Sequence, residues 1–274
     1  VNAPPAPRPG RHRVRLGEAE LLQDADRPSG WLLSVGGVAQ SYVDLDEPAH
    51  LEFDYMRRIG DVLDCLRPGP LAVLHVGGGA GSLARYAAAT RPGSRQLLVD
   101  ADDLLVELVS AQLGLRAVPG LAVEVGDGRA ALAAAAAGEW DVVVLDAFHQ
   151  ATIPAGMVTL GSVSDVDKAL AAGGVCLANV TDGPGLAFVR RVVGTLGAVF
   201  EHVVVVGEPA VLRGRRFANV VVAASRDELP VAEVAGLAAG AVFPARVVPG
   251  AELMGDPITD DEPVASPLPP EMFT

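Results

Sequence analysis

The stretch Leu71-Ala-Val-Leu-His-Val-Gly-Gly-Gly-Ala-Gly-Ser-Leu-Ala-Arg-Tyr86 restricts the fold more than any other part of the chain. Its apolar run, Leu71 to Val76, is too short for a helix and reads as a buried strand. The run breaks into Gly77, Gly78, Gly79 and Gly81, after which Leu83, Tyr86 and Ala87 recur at helical spacing. A strand, a glycine turn and a helix, in that order, open the nucleotide site of a doubly wound α/β sheet. Without a Cβ the loop backbone can come close to a ligand, and the new helix aims its free N–H groups at the same place. A glycine-rich loop taken alone also fits a plain tight turn, so the weight falls on the strands and acids downstream of it.

Downstream the spacing predicts strands at 71–76, 95–100, 120–125, 141–146 and 174–180, with helices near 82–90, 102–113, 129–137 and 160–171 between them. Such alternation implies a parallel sheet with right-handed crossovers. A helix at 184–197 comes next, then two β-rich runs at 200–206 and 217–224 with no helix-length segment between them, then a helix at 228–239. Parallel strands closing on an antiparallel pair describe a methyltransferase-like (Rossmann-like) doubly wound sheet rather than a dinucleotide dehydrogenase. Upstream, short runs punctuated by Gly, Pro and Asp predict a small N-terminal antiparallel β-sheet of three or four strands, with Gly36-Gly37 as a hairpin turn. Asp46-Glu47-Pro48 reads as a helix start, and Leu51, Tyr55, Ile59, Val62 and Leu63 as that helix's apolar stripe. The expected organisation is a disordered tail over 1–10, a sheet region with a linking helix over 11–66, a nucleoside-binding α/β domain over 67–250 and a mobile tail over 251–274.

Composition narrows the partners. The net charge of −13 argues against a nucleic-acid partner, which wants a basic face, and admits a cationic substrate. No run of 18 apolar residues is present, so no membrane partner is expected, and the N-terminal residues have no apolar signal core. Cys65 and Cys176 lie far apart among apolar neighbours and read as reduced thiols, which points to a cytoplasmic protein. No His/Cys cluster has metal-ligand spacing, so no metal is expected.

Ligands of open α/β sheets bind outside the C-terminal ends of the strands. Acids end three of the predicted strands: Asp100 the second, Asp127 in Gly126-Asp127-Gly128 the third, and Asp146 the fourth. All three would line one crevice. A carboxylate in the place of Asp100 can accept from both hydroxyls of a ribose, and Asp127 can accept from an adenine amino group. Asp146 sits where a substrate would meet the nucleoside and can act as a general base or hold an amine. Asp102 and Asp103 read as helix N-caps. His75, inside the first strand, reads as a satisfied core residue, and Arg213-Gly-Arg-Arg216 as a charged turn.

The loop Gly77-Gly-Gly-Ala-Gly81, the segment Val99-Asp-Ala-Asp102 and Gly126-Asp127-Gly128 carry a resemblance to the polyamine aminopropyltransferases, spermidine synthase and its relatives, over roughly residues 30–225. The resemblance implies decarboxylated S-adenosylmethionine as co-substrate, with its ribose on Asp100 and its adenine near Asp127. It places Gln40 at the nucleoside, aligns His50 and Glu52 with the family's substrate-binding segment, and makes Asp146 the base that deprotonates the attacking amine. It also implies a homodimer or tetramer. Two positions depart from the family pattern: Ala80 replaces the loop Asp that would hold the aminopropyl ammonium, and His149 replaces the second Asp of the catalytic loop Asp146-Ala-Phe-His-Gln150. His149 offers an imidazole as an alternative base. Three functions stay open on these residues: aminopropyl transfer to a small-molecule amine, methyl transfer from ordinary S-adenosylmethionine, and nucleoside binding without turnover.

Overall fold

The computed structural model describes residues 6–149 and 151–270. Residues 1–5 of the expected N-terminal tail, 271–274 of the expected C-terminal tail, and Gln150 lie outside the described residues.

Four strands come first: β1 (Gly10–Val14), β2 (Gly17–Gln23), β3 (Gly30–Val35) and β4 (Val38–Asp44). They form an antiparallel meander in sequence order, and the β3–β4 turn falls at Gly36-Gly37. The expected helix start at Asp46 is not one. Asp44 Oδ1 accepts from the N–H groups of Asp46 and Glu47, both at 3.0 Å, so these acids close a turn instead. Helix α1 spans Asp54–Cys65 and buries Met56, Ile59, Val62 and Leu63.

The α/β part then alternates: β5 (Ala72–Val76), α2 (Ser82–Thr90), β6 (Arg95–Asp100), α3 (Asp103–Leu113), β7 (Leu121–Val125), α4 (Gly128–Ala134), β8 (Trp140–Leu145), α5 (Leu160–Ala169), β9 (Leu170–Asp182) and α6 (Ala187–Gly197). The closing elements are β10 (His202–Gly207), the four-residue α7 (Pro209–Leu212), β11 (Ala218–Ser225), α8 (Val231–Gly240) and β12 (Arg246–Pro249). Their order in the large sheet is β12-β10-β11-β9-β8-β5-β6-β7. Pairing is parallel from β9 through β7, and β11 lies antiparallel between β9 and β10. This is the doubly wound, methyltransferase-like sheet expected, with β12 added antiparallel at the β10 edge. Its four residues between two loops leave too short a pattern to read.

Central strands such as β8, Trp-Asp-Val-Val-Val-Leu, are buried on both faces, which accounts for their unbroken apolar runs. One apolar cluster joins the sheet to α4, α5 and α6, and a second joins it to α1, α2 and α8. Helix α1 is therefore a layer of the large sheet, although its sequence falls before the boundary at residue 67. A third cluster seats the small sheet on α3, through Leu21, Leu33, Leu105, Val109 and Leu115. Asp102 ties this seam: it caps α3 through Leu105 N–H, and its carboxylate also accepts from the N–H groups of Arg15 and Leu16.

The tail does not hang free over its described length. Leu253 and Ile258 are buried. Ile258 N–H donates to Thr195 Oγ1 at 2.8 Å, Thr159 Oγ1 donates to Asp260 at 2.7 Å, and Ile153 N–H donates to Ser266 Oγ at 2.8 Å. Proline and aspartate there mark an ordered strap, tied down by backbone and hydroxyl partners in the body of the protein.

Candidate active site

The C-terminal ends of β5, β6, β7 and β8 converge on a cavity of about 210 Å³ lined by Gln40, Gly77, Gly78, Gly79, Asp100, Asp127, Asp146 and His149. Eight of the residues read from the sequence thus face one space. Gly77 has φ of 79°, and a Cβ there would meet the backbone oxygen of Asp146 at 2.4 Å. Gly79 has φ of 49°, and its Cβ would meet Ser41 Oγ at 2.2 Å. The loop is glycine because the neighbouring β8 loop and the small sheet press against it. Gly81 and Gly126 do not line the cavity. Gly81 precedes α2 in the left-handed region, and Gly126 N–H donates to the Asp100 backbone carbonyl at 2.9 Å.

Asp100 is held by the loop. Its carboxylate accepts from the N–H of Asp102 at 3.0 Å and from the N–H groups of Gly78 and Gly79, while burial pushes its pKa up. Asp127 lines the same cavity and at the same time caps α4, accepting from Ala130 N–H at 2.7 Å. His149 is exposed; its backbone makes a two-way bridge with Thr152. His75 is a core residue as expected: it is buried, with Nε2 2.9 Å from Gln96 Oε1, and burial lowers its pKa to about 4.

A second, larger cavity of about 550 Å³ adjoins the first. Gln40 and Phe148 line both spaces. Asp146 lines the smaller space and not the larger. Its Oδ1 accepts from Asn179 Nδ2 at 2.8 Å and its Oδ2 from Tyr55 Oη at 3.3 Å, and both donors line the larger cavity. Burial raises the Asp146 pKa to about 6 against the opposing pull of those two donors. Burial likewise raises the Tyr55 phenol, helped by the adjacent carboxylate, so the phenol stays a donor.

Tyr55 and Asn179 are candidate site positions that sequence reading missed. Tyr55 fits the apolar stripe of α1, but its hydroxyl reaches Asp146 just past the end of β8. Asn179 is the one amide in Val175-Cys-Leu-Ala-Asn-Val180, and that break in an apolar strand was the available signal. Of the aligned pair, Glu52 lines the larger cavity, whereas His50 does not. The two side chains pair with each other at 2.9 Å. Arg216, read as part of a charged turn, also lines the larger cavity.

The two departures come apart in space. His149 faces the smaller cavity, but Ala80 lines neither one. Its side chain is fully buried in the apolar cluster under the small sheet, and its N–H donates to Ser41 Oγ at 3.0 Å. A carboxylate at position 80 would enter that apolar seam, so alanine there answers local packing.

The donor set suits an adenosyl group: carboxylates at Asp100 and Asp127 for hydroxyl and amino donors, and close-approaching glycine backbone beside them. Among the described residues no group of three or more His, Cys, Asp or Glu side chains could hold a metal ion, and no helix is long and apolar enough to cross a membrane.

The architecture is that of the spermidine synthase-like proteins, a methyltransferase-like sheet fronted by a small antiparallel one. Among solved structures, a probable spermidine synthase from Corynebacterium glutamicum superposes with a TM-score of 0.85 at 28% identity, over 90% of this chain and 93% of that one. A spermidine synthase in complex with the transition state analogue AdoDATO gives 0.60 at 17% identity, over 82% and 75%. Human methyltransferase-like protein 13 in complex with SAH gives 0.54 at 23% identity, over 68% and 89%. No protein-family model matches the chain, and no curated protein matches it by sequence.

Proposed function

We propose that this protein is an aminopropyltransferase-like enzyme that takes decarboxylated S-adenosylmethionine, or a closely related adenosyl sulfonium, in the smaller cavity and an amine in the larger. The observation that carries this reading is Asp146, a carboxylate that lines the smaller space while both its oxygens are held by side chains that line the larger. The co-substrate supplies a carbon made electrophilic by its sulfonium. The chain supplies the rest. Asp100 and Asp127 accept from the nucleoside, and the glycine loop lets it lie against backbone. Asn179 and Tyr55 fix the Asp146 carboxylate, and that carboxylate accepts a proton from the incoming ammonium. A base whose pKa is raised to about 6 is ionised at neutral pH yet basic enough to share that proton. Holding amine and donor on either side of one base supplies positioning, which is the larger part of such a displacement's acceleration.

The Corynebacterium relative's name and the complex with AdoDATO support the donor class. The burial of Ala80 supports it too, since the loop acid's absence then reports on the seam beneath the small sheet rather than on a lost amine site. The test is turnover followed by mass spectrometry with decarboxylated S-adenosylmethionine and a panel of amines, beside calorimetry with methylthioadenosine. An aminopropylated product is expected. Methylthioadenosine binding with no aminopropyl product from any amine would refute the transfer and leave the adenosyl site. A methylated product from ordinary S-adenosylmethionine would reassign the donor.

A further inference from the structure

The larger cavity carries a cation that a plain diamine would leave unsatisfied. Arg58 of α1 lines it and is only 4% exposed. Its Nη1 donates to the backbone carbonyl of Asn219 at 3.3 Å, but its buried Nη2 has no hydrogen-bond partner. Glu208 Oε1 stands 3.7 Å away, close enough to share charge and too far to accept, and that oxygen already accepts from Arg216 Nη2. Burial depresses the Arg58 pKa against the opposing pull of Asp54, Glu208 and Asp61. A buried N–H without an acceptor is unfavourable, and a ligand carboxylate against the cavity face of this guanidinium would offset its missing compensation.

Asp54 lies one helical turn from Arg58 and lines the same cavity, with burial raising its pKa. Of the other two acids lining that cavity, Glu52 is engaged with His50 and Glu208 with Arg216. The wall therefore offers a carboxylate acceptor and an arginine donor side by side. An amino-acid headgroup, ammonium beside carboxylate, complements that pair; a second bare ammonium would bring like charge against Arg58. Arg58 also connects to Asp146: the side chain of Asn219 donates to Asn179 Oδ1 at 2.8 Å, and Asn179 holds Asp146.

Resting on the adenosyl-and-amine reading above, we propose that the acceptor amine bears a carboxylate, which the Arg58 guanidinium binds while Asp54 receives the neighbouring ammonium. The larger cavity would thus select an amino acid with a second, reactive amine over the corresponding diamine.

Matched pairs test this. Ornithine and lysine are putrescine and cadaverine with a carboxylate added, so binding of each is measured by calorimetry in the full-length protein saturated with methylthioadenosine. The carboxylated member is expected to bind about tenfold tighter or more, the worth of a charge-assisted hydrogen bond. Arg58→Gln, its fold verified by circular dichroism, should bring ornithine down to the level of putrescine. The wild-type comparison stands even if that variant fails to fold. Diamines binding as well as or better than their carboxylated partners, with methylthioadenosine bound, would overturn this proposal alone. So would an Arg58→Gln variant that keeps the preference. No binding of methylthioadenosine would overturn both this proposal and the reading beneath it.

Discussion

Asn179 on β9 holds Asp146 at the end of β8: its Nδ2 donates to Asp146 Oδ1 at 2.8 Å, across two strands that pair in parallel. The same amide accepts from Asn219 of β11 at 2.8 Å, which fixes which way the Asn179 side chain points. An amide so oriented can only donate to the carboxylate, and donation favours the ionised form. Removing it as Asn179→Leu leaves burial opposed by Tyr55 alone, so the Asp146 pKa should rise above its present value of about 6. The acid limb of the kcat/KM profile should move to higher pH. Tyr55→Phe should move it in the same direction by less, since Asn179 is the stronger of the two opposing donors. A limb that stays in place in both variants rules out this control of the base.

Asp146→Asn should abolish transfer, by about 10²–10⁴-fold for loss of a general base, while methylthioadenosine binding persists. It should also change stability with a defined sign. Asp146 is raised from 3.8 to about 6, so the protonated form is the one that folding favours. Its favourable contribution is full below the unfolded value and disappears as pH rises through about 6. At neutral pH the ionised group should therefore cost up to about 3 kcal/mol, which the neutral asparagine avoids. Urea unfolding at pH 7 and pH 4 checks this: the variant should gain on the wild type at pH 7, and the gap should narrow at pH 4.

Asp100→Ala should weaken methylthioadenosine binding by about 1–3 kcal/mol, through the ribose acceptor and through the loop. The loop route arises because the Asp100 carboxylate also accepts from Gly78 and Gly79. Calorimetry reads the affinity, and hydrogen exchange of the Gly78 and Gly79 amides reads the loop. An unchanged affinity removes Asp100 from the site.

Ala80→Asp, which restores the aminopropyltransferase residue, should destabilise the protein by about 3 kcal/mol or more rather than improve the donor site. The position is fully buried among apolar side chains from the small sheet and α3. Thermal unfolding measures the loss. A variant of wild-type stability with tighter binding of decarboxylated S-adenosylmethionine would show that the new carboxylate reaches the cavity after all.

Much of this architecture is written in local pattern. The run Leu71–Val76, its glycines and the helix after them specify a strand, a turn and a helix in any context. Acids at the ends of β6, β7 and β8 fall in the crevice because parallel strands bring like ends together. The false helix start at Asp46 shows the limit of such patterns. Acids followed by proline open helices and turns alike, and only the side chain of Asp44, capping its own turn, decided between them. The expected mobile tail failed for a related reason: proline-rich composition says how a segment disfavours helix and strand, and is silent on whether Thr159, Thr195 and Ile153 wait to receive it.

The sequence by itself determined the sheet, its doubly wound order and the acids and glycines that line the smaller cavity, because each rests on residues close in the chain or on the period of burial. The tertiary structure alone decided what lines the larger cavity beside Asp146's partners. Tyr55 comes from α1, Asn179 from β9 and Asn219 from β11, three elements that meet only when the sheet is assembled. Position 80 depended on assembly in the opposite sense. One residue inside a binding loop can point into the cavity or into the core, and the small sheet packed against its back made that choice.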